Sequence, residues 1–151
     1  MLNPLIGIWM SPRATIRSIV NLNPKYGVFY LAWIYALQNY FYFSNYWSFG
    51  LRYSFYTILA FGLVLAPLYG LIWVYFSGYV LHLVGRILGG KAPSSHLRAA
   101  AAWSSIPSII SLFMWLALMI SASNTVFVSG TGSASVFVNL IFFILRIWSF
   151  I

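Results

Sequence analysis

The stretch SFYTILAFGLVLAPLYGLIWVYFSGYVLHLVG, residues 54–85, decides the fold because it contains no charged side chain. At a rise of about 1.5 Å per residue, a helix of this length is too long for one upright crossing of a bilayer and short for two. Pro67 lies inside the stretch, so two structures compete. One is a single long helix that is tilted and kinked. The other is a hairpin that turns near APLYG, residues 66–70.

Positive charges decide between these alternatives, because cytoplasmic loops of membrane proteins carry an excess of Lys and Arg. One basic cluster precedes the first apolar span and a second follows residue 85; they consist of Arg13, Arg17, Lys25, Arg86, Lys91 and Arg98. A single helix places both clusters on one side of the membrane and leaves Arg52 opposite, whereas a hairpin separates them. We therefore predict one long helix over residues 54–88 and a cytoplasmic N-terminus.

The composition predicts that the surrounding medium is lipid. Hydrophobic residues make up 62% of the 151 residues and charged residues 5%, against roughly 45–50% and roughly 25% in soluble domains. Eight basic residues and two histidines, with no Asp or Glu, are too few to cover a surface in water. We expect a single all-α domain, a polytopic transmembrane helical bundle.

The residue types that are missing exclude whole classes of function. Without Cys, Asp or Glu, this sequence has no disulfide, no thiolate nucleophile, no carboxylate base and no oxygen cage for a hard cation. We therefore predict a protein that is not an enzyme and that has no cofactor and no metal. The net charge of +8 predicts anionic lipid head groups or an acidic protein as partner. Nucleic acid is not expected, because no basic face with interleaved aromatics lies outside the apolar spans.

Residues 1–26 are predicted to form two short helices at the cytoplasmic face. Asn3 and Ser11 each precede a proline, so each is expected to cap a helix whose first position is Pro4 or Pro12.

The second of these helices is amphipathic. Its apolar face consists of Ile16, Ile19 and Val20, and its basic face of Arg13 and Arg17. This pattern predicts a helix that lies in the membrane interface with its arginines near lipid phosphates. The alternative is an ordinary solvated face on a short helix.

Residues 27–151 are predicted to form the transmembrane bundle, with spans at about 27–43, 54–88, 99–122 and 136–151. Gly89 and Gly90 are expected to end the second span, and Ser94 or Ser95 to cap the third. Residues 121–135 read as a polar, uncharged outer loop. The fourth span is still apolar at Ile151, so we expect further sequence or a covering protein there.

Small residues predict packing surfaces on two spans. On the second span they recur at multiples of four: Gly62, Ala66, Gly70 and Gly78, with His82 continuing the series. In RAAAAWSSIPSII, residues 98–110, Pro107 frees the carbonyl of Trp103, and a stripe is formed by Ser104, Ser108 and Ser111. Because lipid-embedded helices tolerate proline where nearby hydroxyls satisfy the backbone, we predict a kinked packing surface, not a helix end. The alternative is a substrate pocket at the kink.

Two further basic positions are candidate binding residues. His82 followed by Arg86 predicts a lipid head-group site near the cytoplasmic face, or interfacial side chains with their polar ends in water. Arg146 lies ten residues beyond Val136, near the expected bilayer midplane, where a charge is a functional candidate. Its partner would be a further helix, another subunit, a carbonyl cluster or a lipid phosphate. Snorkelling after a shift in register is the alternative.

Four stretches resemble bacterial members of the Yip family, the multi-span relatives of Ypt/Rab-interacting membrane proteins. They are NPLIGIWMSPRATIRSIVNLNPKYGV (3–28), GYVLHLVGRILGGK (78–91), LRAAAAWSSIPSII (97–110) and IWSF (147–150). The matching positions are Asn3, Pro4, Trp9, Pro12, Arg13, Thr15, Ile16, Arg17, Gly85, Gly89, Gly90, Lys91, Arg98, Ala99, Ala100, Trp103, Ser104, Pro107, Trp148 and Ser149.

The resemblance implies an all-helical bundle of five spans with a cytosolic N-terminal segment, of which this chain supplies four. It implies no catalytic residue, and a bacterial inner membrane as the location. Eukaryotic members are associated with vesicle traffic between ER and Golgi and with Rab GTPases. Relatives usually carry acidic residues around their loops and last span, and this chain has none.

Three functions follow from these observations. The first is a non-catalytic membrane protein of the Yip type, which organises the membrane or recruits partners through its basic cytoplasmic face. The second is an accessory subunit of a larger membrane complex whose acidic residues or last helix come from a partner. The third is a small transporter, with Pro67 and Pro107 breaking helices around a midplane site. No acid is present to couple ions in that case.

Overall fold

In the computed structural model, residues 4–121, 125–130, 140 and 143–144 are described, and this part of the chain is all-α without strands. Its helices are α1 (Pro4–Met10), α2 (Pro12–Leu22), α3 (Val28–Tyr46), α4 (Phe55–Ile87), α5 (Ser94–Ser104) and α6 (Ile106–Ser121), with a 3₁₀ turn at Phe49–Leu51 between α3 and α4. Helix α3 packs against α4, α5 and α6, and α5 also packs against α4.

Helix α4 is one continuous helix of 33 residues with Pro67 inside it. At a rise of about 1.5 Å per residue it is about 50 Å long. The hairpin alternative near residues 66–70 is therefore wrong, and the single-helix prediction is confirmed.

Local signals set both ends of α4. The Ser54 hydroxyl accepts a hydrogen bond from the Thr57 amide (3.3 Å) at the start. At the other end the Gly90 amide donates to the Gly85 carbonyl (2.7 Å) and the Gly89 amide to the Arg86 carbonyl (3.0 Å). Gly89 has φ +80°, the left-handed conformation that this type of helix ending requires. The two glycines end the helix where the sequence places its end.

A row of small and β-branched residues on α4 is buried at four-residue intervals. It consists of Ile58, Gly62, Ala66, Gly70, Val74 and Gly78. A Cβ at Gly70 would collide with the Ala32 carbonyl on α3, and a Cβ at Gly78 would collide with the stem of Arg98 on α5. Four-residue steps rotate about 40° each, so the row turns around α4. It stays buried because α3 covers its first part and α5 its last.

The third apolar segment differs from the predicted kinked span. Its helix begins at Ser94 and not near residue 99, and Pro93 occupies the N-cap position, so neither Ser94 nor Ser95 caps it. Helix α5 ends at Ser104 and α6 begins at Ile106. The prediction of a kink without a helix end is therefore wrong. Pro107 lies in the first turn of α6, where no intrahelical N–H is needed.

The serine stripe is only partly a packing surface. Ser104 is exposed, and its hydroxyl donates to the Ala101 carbonyl of its own helix (2.9 Å). The buried hydroxyl at the break belongs to Ser105, which donates to the Ala102 carbonyl (2.6 Å). Ser111 is buried at 2% exposure, and the side chain of Ser108 lies outside the described part. The break between α5 and α6 thus brings Ser105 inward in place of Ser104.

Helices α1 and α2 pack against α5 around one tryptophan. A buried cluster joins Ile8 of α1, Ile19 of α2, and Trp103 and Ile106 at the α5–α6 junction. Pro4 and Pro12 open the two helices, whereas Ser11 occupies the N-cap position without a side-chain hydrogen bond. Asn3 lies outside the described residues. The apolar face of α2 is therefore covered by protein, and its position in the membrane interface stays a prediction.

The segment after α6 contains a buried apolar pair that the polar-loop prediction missed. Val126 and Phe127 are 6% and 2% exposed. The Phe127 ring stacks on Trp115 with centroids 6.1 Å apart and also contacts Phe41. The Gly50 amide donates to the Phe127 carbonyl (3.0 Å), which ties this loop to the 3₁₀ turn. The serines and glycines around TVFV make this segment polar in overall composition, and composition alone does not show that Val126 and Phe127 are buried.

Two of the described helical segments are long and apolar enough to cross a membrane: α4 and Ser94–Ser121, which comprises α5 and α6. Of the most apolar 18-residue window of α4, 28% is buried, far less than in the core helix of a soluble protein. Helix α3 has 19 residues and no charge, but its tyrosines and amides lower its mean hydropathy. The span predicted at 136–151 falls almost wholly outside the described residues, so the four-span bundle stays a prediction.

We expect Gly70→Ala to destabilise the bundle by about 1–3 kcal/mol, the range for overpacked sites, because the new methyl group meets the Ala32 carbonyl. Gly85→Ala on the same helix is the matched control, since nothing lies within 4 Å of a Cβ there. Circular dichroism during thermal unfolding in detergent micelles gives both midpoints. A Gly70→Ala midpoint equal to that of Gly85→Ala would contradict the close approach of α3 to α4.

Trp103→Phe removes the indole N–H that donates to the Tyr26 carbonyl (3.1 Å). We expect amide exchange in α2 to become about fivefold faster, because a net hydrogen bond is worth about 1 kcal/mol. Hydrogen–deuterium exchange with mass spectrometry measures this. Trp47→Phe, at an exposed position far from α2, should leave that exchange rate unchanged. Unaltered protection of α2 in Trp103→Phe would show that this tryptophan does not hold the N-terminal helices.

Candidate functional site

Two contacts gather basic residues at one end of the helix bundle. The Trp103 indole nitrogen donates to the Tyr26 carbonyl, which brings the start of α3 beside α5. The close approach of Arg98 to Gly78 brings the start of α5 beside the last third of α4. We call this the basic end; its residues are Arg13, Arg17, Lys25, Arg86, Lys91 and Arg98. Arg52 lies at the opposite end, between the 3₁₀ turn and α4.

Within the described part of the chain, Arg98 is the only residue of the basic end whose guanidinium lies over an aromatic ring. Its guanidinium carbon lies 4.6 Å from the centroid of the Tyr75 ring on α4. A cation over an aromatic face is attracted by the electron density of the ring. The Arg98 stem passes over Gly78, one helical turn beyond Tyr75, where only a glycine leaves room for it. Arg98 therefore joins α5 to α4 as well as contributing positive charge.

The loop between α4 and α5 presents Arg86 and Lys91 to the surroundings. Both side chains are exposed, and Arg86 lies in the last turn of α4, where the helix dipole favours a positive charge. The Nδ1 atom of His82 lies 3.2 Å from the Ala92 carbonyl oxygen. Because a carbonyl can only accept, Nδ1 carries the hydrogen in this contact. His82 thus holds the loop against α4, and it is half-buried instead of projecting toward the surroundings.

Arg13 and Arg17 are exposed on the outer face of α2. Their position follows from the burial of Ile19 and Val20 on the opposite face. With the apolar face held against Trp103, the arginine face is the part of α2 that remains available for binding. Arg146, the other predicted binding residue, lies outside the described residues.

The charge of the basic end is not neutralised by side chains of this chain. The 151 residues contain no Asp and no Glu, and the formal net charge is +8. Like charges at one end of a compact structure repel each other unless anions from outside approach them. The arrangement can therefore bind phosphates of lipid head groups or carboxylates of a partner protein.

The sequence analysis identified the basic positions but not the residues that hold them. Tyr75, Tyr26 and the hydrogen-bonding role of the Trp103 indole were missed. A signal existed for Tyr75, since it lies one helical turn before Gly78 and so shares a face with it. Which α5 side chain crosses that face depends on the packing of two helices, which periodicity alone does not give.

Comparison of this chain with protein-family models, with curated protein sequences and with solved structures finds no match.

Proposed function

We propose that this chain is a non-catalytic integral membrane protein that binds anionic lipid head groups through its basic end. One observation carries the proposal: six of the eight Lys and Arg lie at the same end of a bundle whose helix sides are apolar. The exposed side chains along α4 include Leu68, Ile72 and Phe76, each more than 60% exposed. Such a surface is favourable against hydrocarbon and unfavourable in water.

The basic end supports binding to a membrane that contains acidic lipids. Each Lys or Arg near an anionic surface contributes about 1 kcal/mol at physiological ionic strength. Five of the six side chains are exposed, so several phosphates can be contacted at once. The positive-inside rule then favours a cytoplasmic basic end and N-terminus. A four-span bundle in a bacterial inner membrane agrees with this orientation.

The resemblance to the Yip family supports a role in organising membrane or in recruiting partners. Several matching positions have structural roles in the described fold. Trp103 holds the N-terminal helices, Gly89 and Gly90 end α4, and Pro107 opens α6. These roles account for why such residue types occur at these positions. They leave Arg13, Arg17 and Lys91 as basic matching positions that are exposed and available for binding.

The lipid-binding role is tested by the double substitution Arg13→Gln and Arg17→Gln. At about 1 kcal/mol per charge, we expect affinity for phosphatidylglycerol to fall roughly tenfold or more, and less so at high salt. Native mass spectrometry of the delipidated protein in detergent, titrated with this lipid, counts the bound molecules. The double Lys variant at the same positions keeps the charge and should retain affinity. Unchanged binding in the Gln variant would refute a role for α2.

An accessory subunit of a larger complex is the second candidate. It is favoured by the absence of any carboxylate that pairs with the eight cations of this chain. We expect gently solubilised membranes to yield the chain in a heavier assembly with an acidic protein if this candidate holds. Native mass spectrometry of that preparation gives the mass directly. Recovery of the chain alone, or only with copies of itself, would eliminate the accessory role.

A further inference from the structure

Two adjoining cavities lie between α3 and α4, at the end of the bundle opposite the basic end. Each has a volume of about 510 Å³, within the usual size range of small-molecule sites. Tyr40, Phe49 and Leu65 line both cavities, so these residues form their common wall. The two cavities therefore lie side by side along α4, and we call them together the groove.

The outer cavity is lined by one positive charge and by several aromatic rings, and Arg52 itself is exposed. Arg52 lines it together with Trp47, Tyr53 and Thr57. No Asp or Glu exists in the 151 residues to pair with this guanidinium. Trp and Tyr rings are favoured at the level of lipid head groups, where one part of the ring is apolar and another is wet. The outer cavity thus combines an unneutralised cation with interfacial aromatics.

The backbone around Arg52 is held in place by hydrogen bonds. The Arg52 and Tyr53 amides both donate to the Phe49 carbonyl, at 3.0 and 2.9 Å. Ser48 adopts a left-handed conformation with φ 54°, and its hydroxyl lies 2.9 Å from that of Ser129. The segment that carries Arg52 is thus attached both to itself and to the loop after α6. The direction in which the Arg52 side chain leaves the backbone is accordingly set before any ligand arrives.

The inner cavity is lined mainly by apolar side chains and ring faces, with Asn39 and two tyrosines as its polar members. Its walls are lined by side chains that include Phe43, Leu68, Tyr69 and Ile72. The Asn39 side-chain amide in this cavity donates one N–H to the Tyr35 carbonyl on its own helix (2.9 Å). The Tyr40 ring packs over Gly62, which keeps the wall between the cavities in place. This part of the groove matches a hydrocarbon chain.

The positions of the cavities along α4 match one leaflet of a bilayer. Helix α4 is about 50 Å long and a hydrocarbon core about 30 Å thick, so a centred α4 extends about 10 Å beyond the core at each end. Ile72 then lies near the midplane and Leu65 within one leaflet. Arg52, which precedes the helix, lies at head-group level.

We propose that this groove binds one anionic phospholipid, with its phosphate at Arg52 and an acyl chain along Leu65, Leu68 and Ile72. A guanidinium presents a planar pair of N–H donors that matches a phosphate, and the Thr57 hydroxyl lies in the same cavity. The site is distinct from the basic end. It rests on the proposed membrane insertion but not on the binding role of Arg13 and Arg17.

The experiment titrates the full, delipidated chain in detergent with phosphatidylglycerol and counts bound lipids by native mass spectrometry. We expect Arg52→Gln to lower the affinity for one of the bound lipids about fivefold to tenfold, which is the effect of one charge near a phosphate. Arg52→Lys should retain most of the affinity. Leu65→Trp should block the same lipid without changing the charge. Leu63→Trp is the matched control, because Leu63 is also exposed on α4 but lines neither cavity.

Two further measurements distinguish between the possible occupants of the groove. Glycerol phosphate, which has the head group without acyl chains, should compete only weakly with phosphatidylglycerol. If it displaces the lipid at equal concentration, the proposed binding of an acyl chain in the inner cavity is wrong. A change from dimer to monomer in Leu65→Trp would identify a second copy as the occupant and overturn the proposal. Far-ultraviolet circular dichroism confirms that each variant folds.

The outcome for this groove can be told apart from the outcome for the basic end. In one outcome, the double variant Arg13→Gln with Arg17→Gln loses lipid, whereas Arg52→Gln and Leu65→Trp bind lipid as the original chain does. The groove proposal is then wrong, and the basic-end function stands. If only the Arg52 and Leu65 variants lose a lipid, the reverse holds.

Discussion

The close approach of three helices at glycine positions of α4 is the constraint on which the rest of this structure depends. Between lipid-embedded helices there is little hydrophobic driving force, so van der Waals contact at short backbone distance must hold them together. At Gly70 the Ala32 backbone occupies the space of a side chain, and at Gly78 the Arg98 stem does. Because the buried row turns around α4, one helix contacts α3 along its first part and α5 along its last. The groove below Arg52 and the contact of Arg98 with Tyr75 both follow from these separations.

The parts of the fold that local chemistry determines could be predicted from the sequence. The length of α4, its ending at Gly89 and Gly90, and the opening of α1 and α2 at prolines are set by residues within one turn of each feature. The parts that depend on packing could not. Nothing in RAAAAWSSIPSII shows that Ser105 turns inward and Ser104 outward, since this is decided by the break between α5 and α6. For Val126 and Phe127 a signal was present, because an apolar run inside a serine-rich loop has to be buried somewhere.

The candidate sites were predicted to a similar degree. Charge clustering predicted the basic end, because a single continuous α4 places the segment before α3 and the loop after α4 at the same end of the bundle. It gave no information about Tyr75, nor about the groove near Arg52, since both are formed by side chains far apart in sequence. The two ends of the bundle differ in how they present positive charge. One presents five exposed cations, and the other a single exposed cation at the edge of a cavity lined by aromatic rings.

The part of α4 that extends beyond α3 has a consequence for local motion of the helix end. Gly70 faces Ala32, the fifth residue of α3, so α3 ends its coverage near Val74 and about the last three turns of α4 lack it. Side chains there, from Tyr79 to Leu88, are largely exposed, and the His82 side chain hydrogen-bonds the following loop. Segments with so few buried neighbours open locally at low free energy. The end of α4 that carries Arg86, and the loop that carries Lys91, can therefore move locally while the glycine-packed middle of the helix stays rigid.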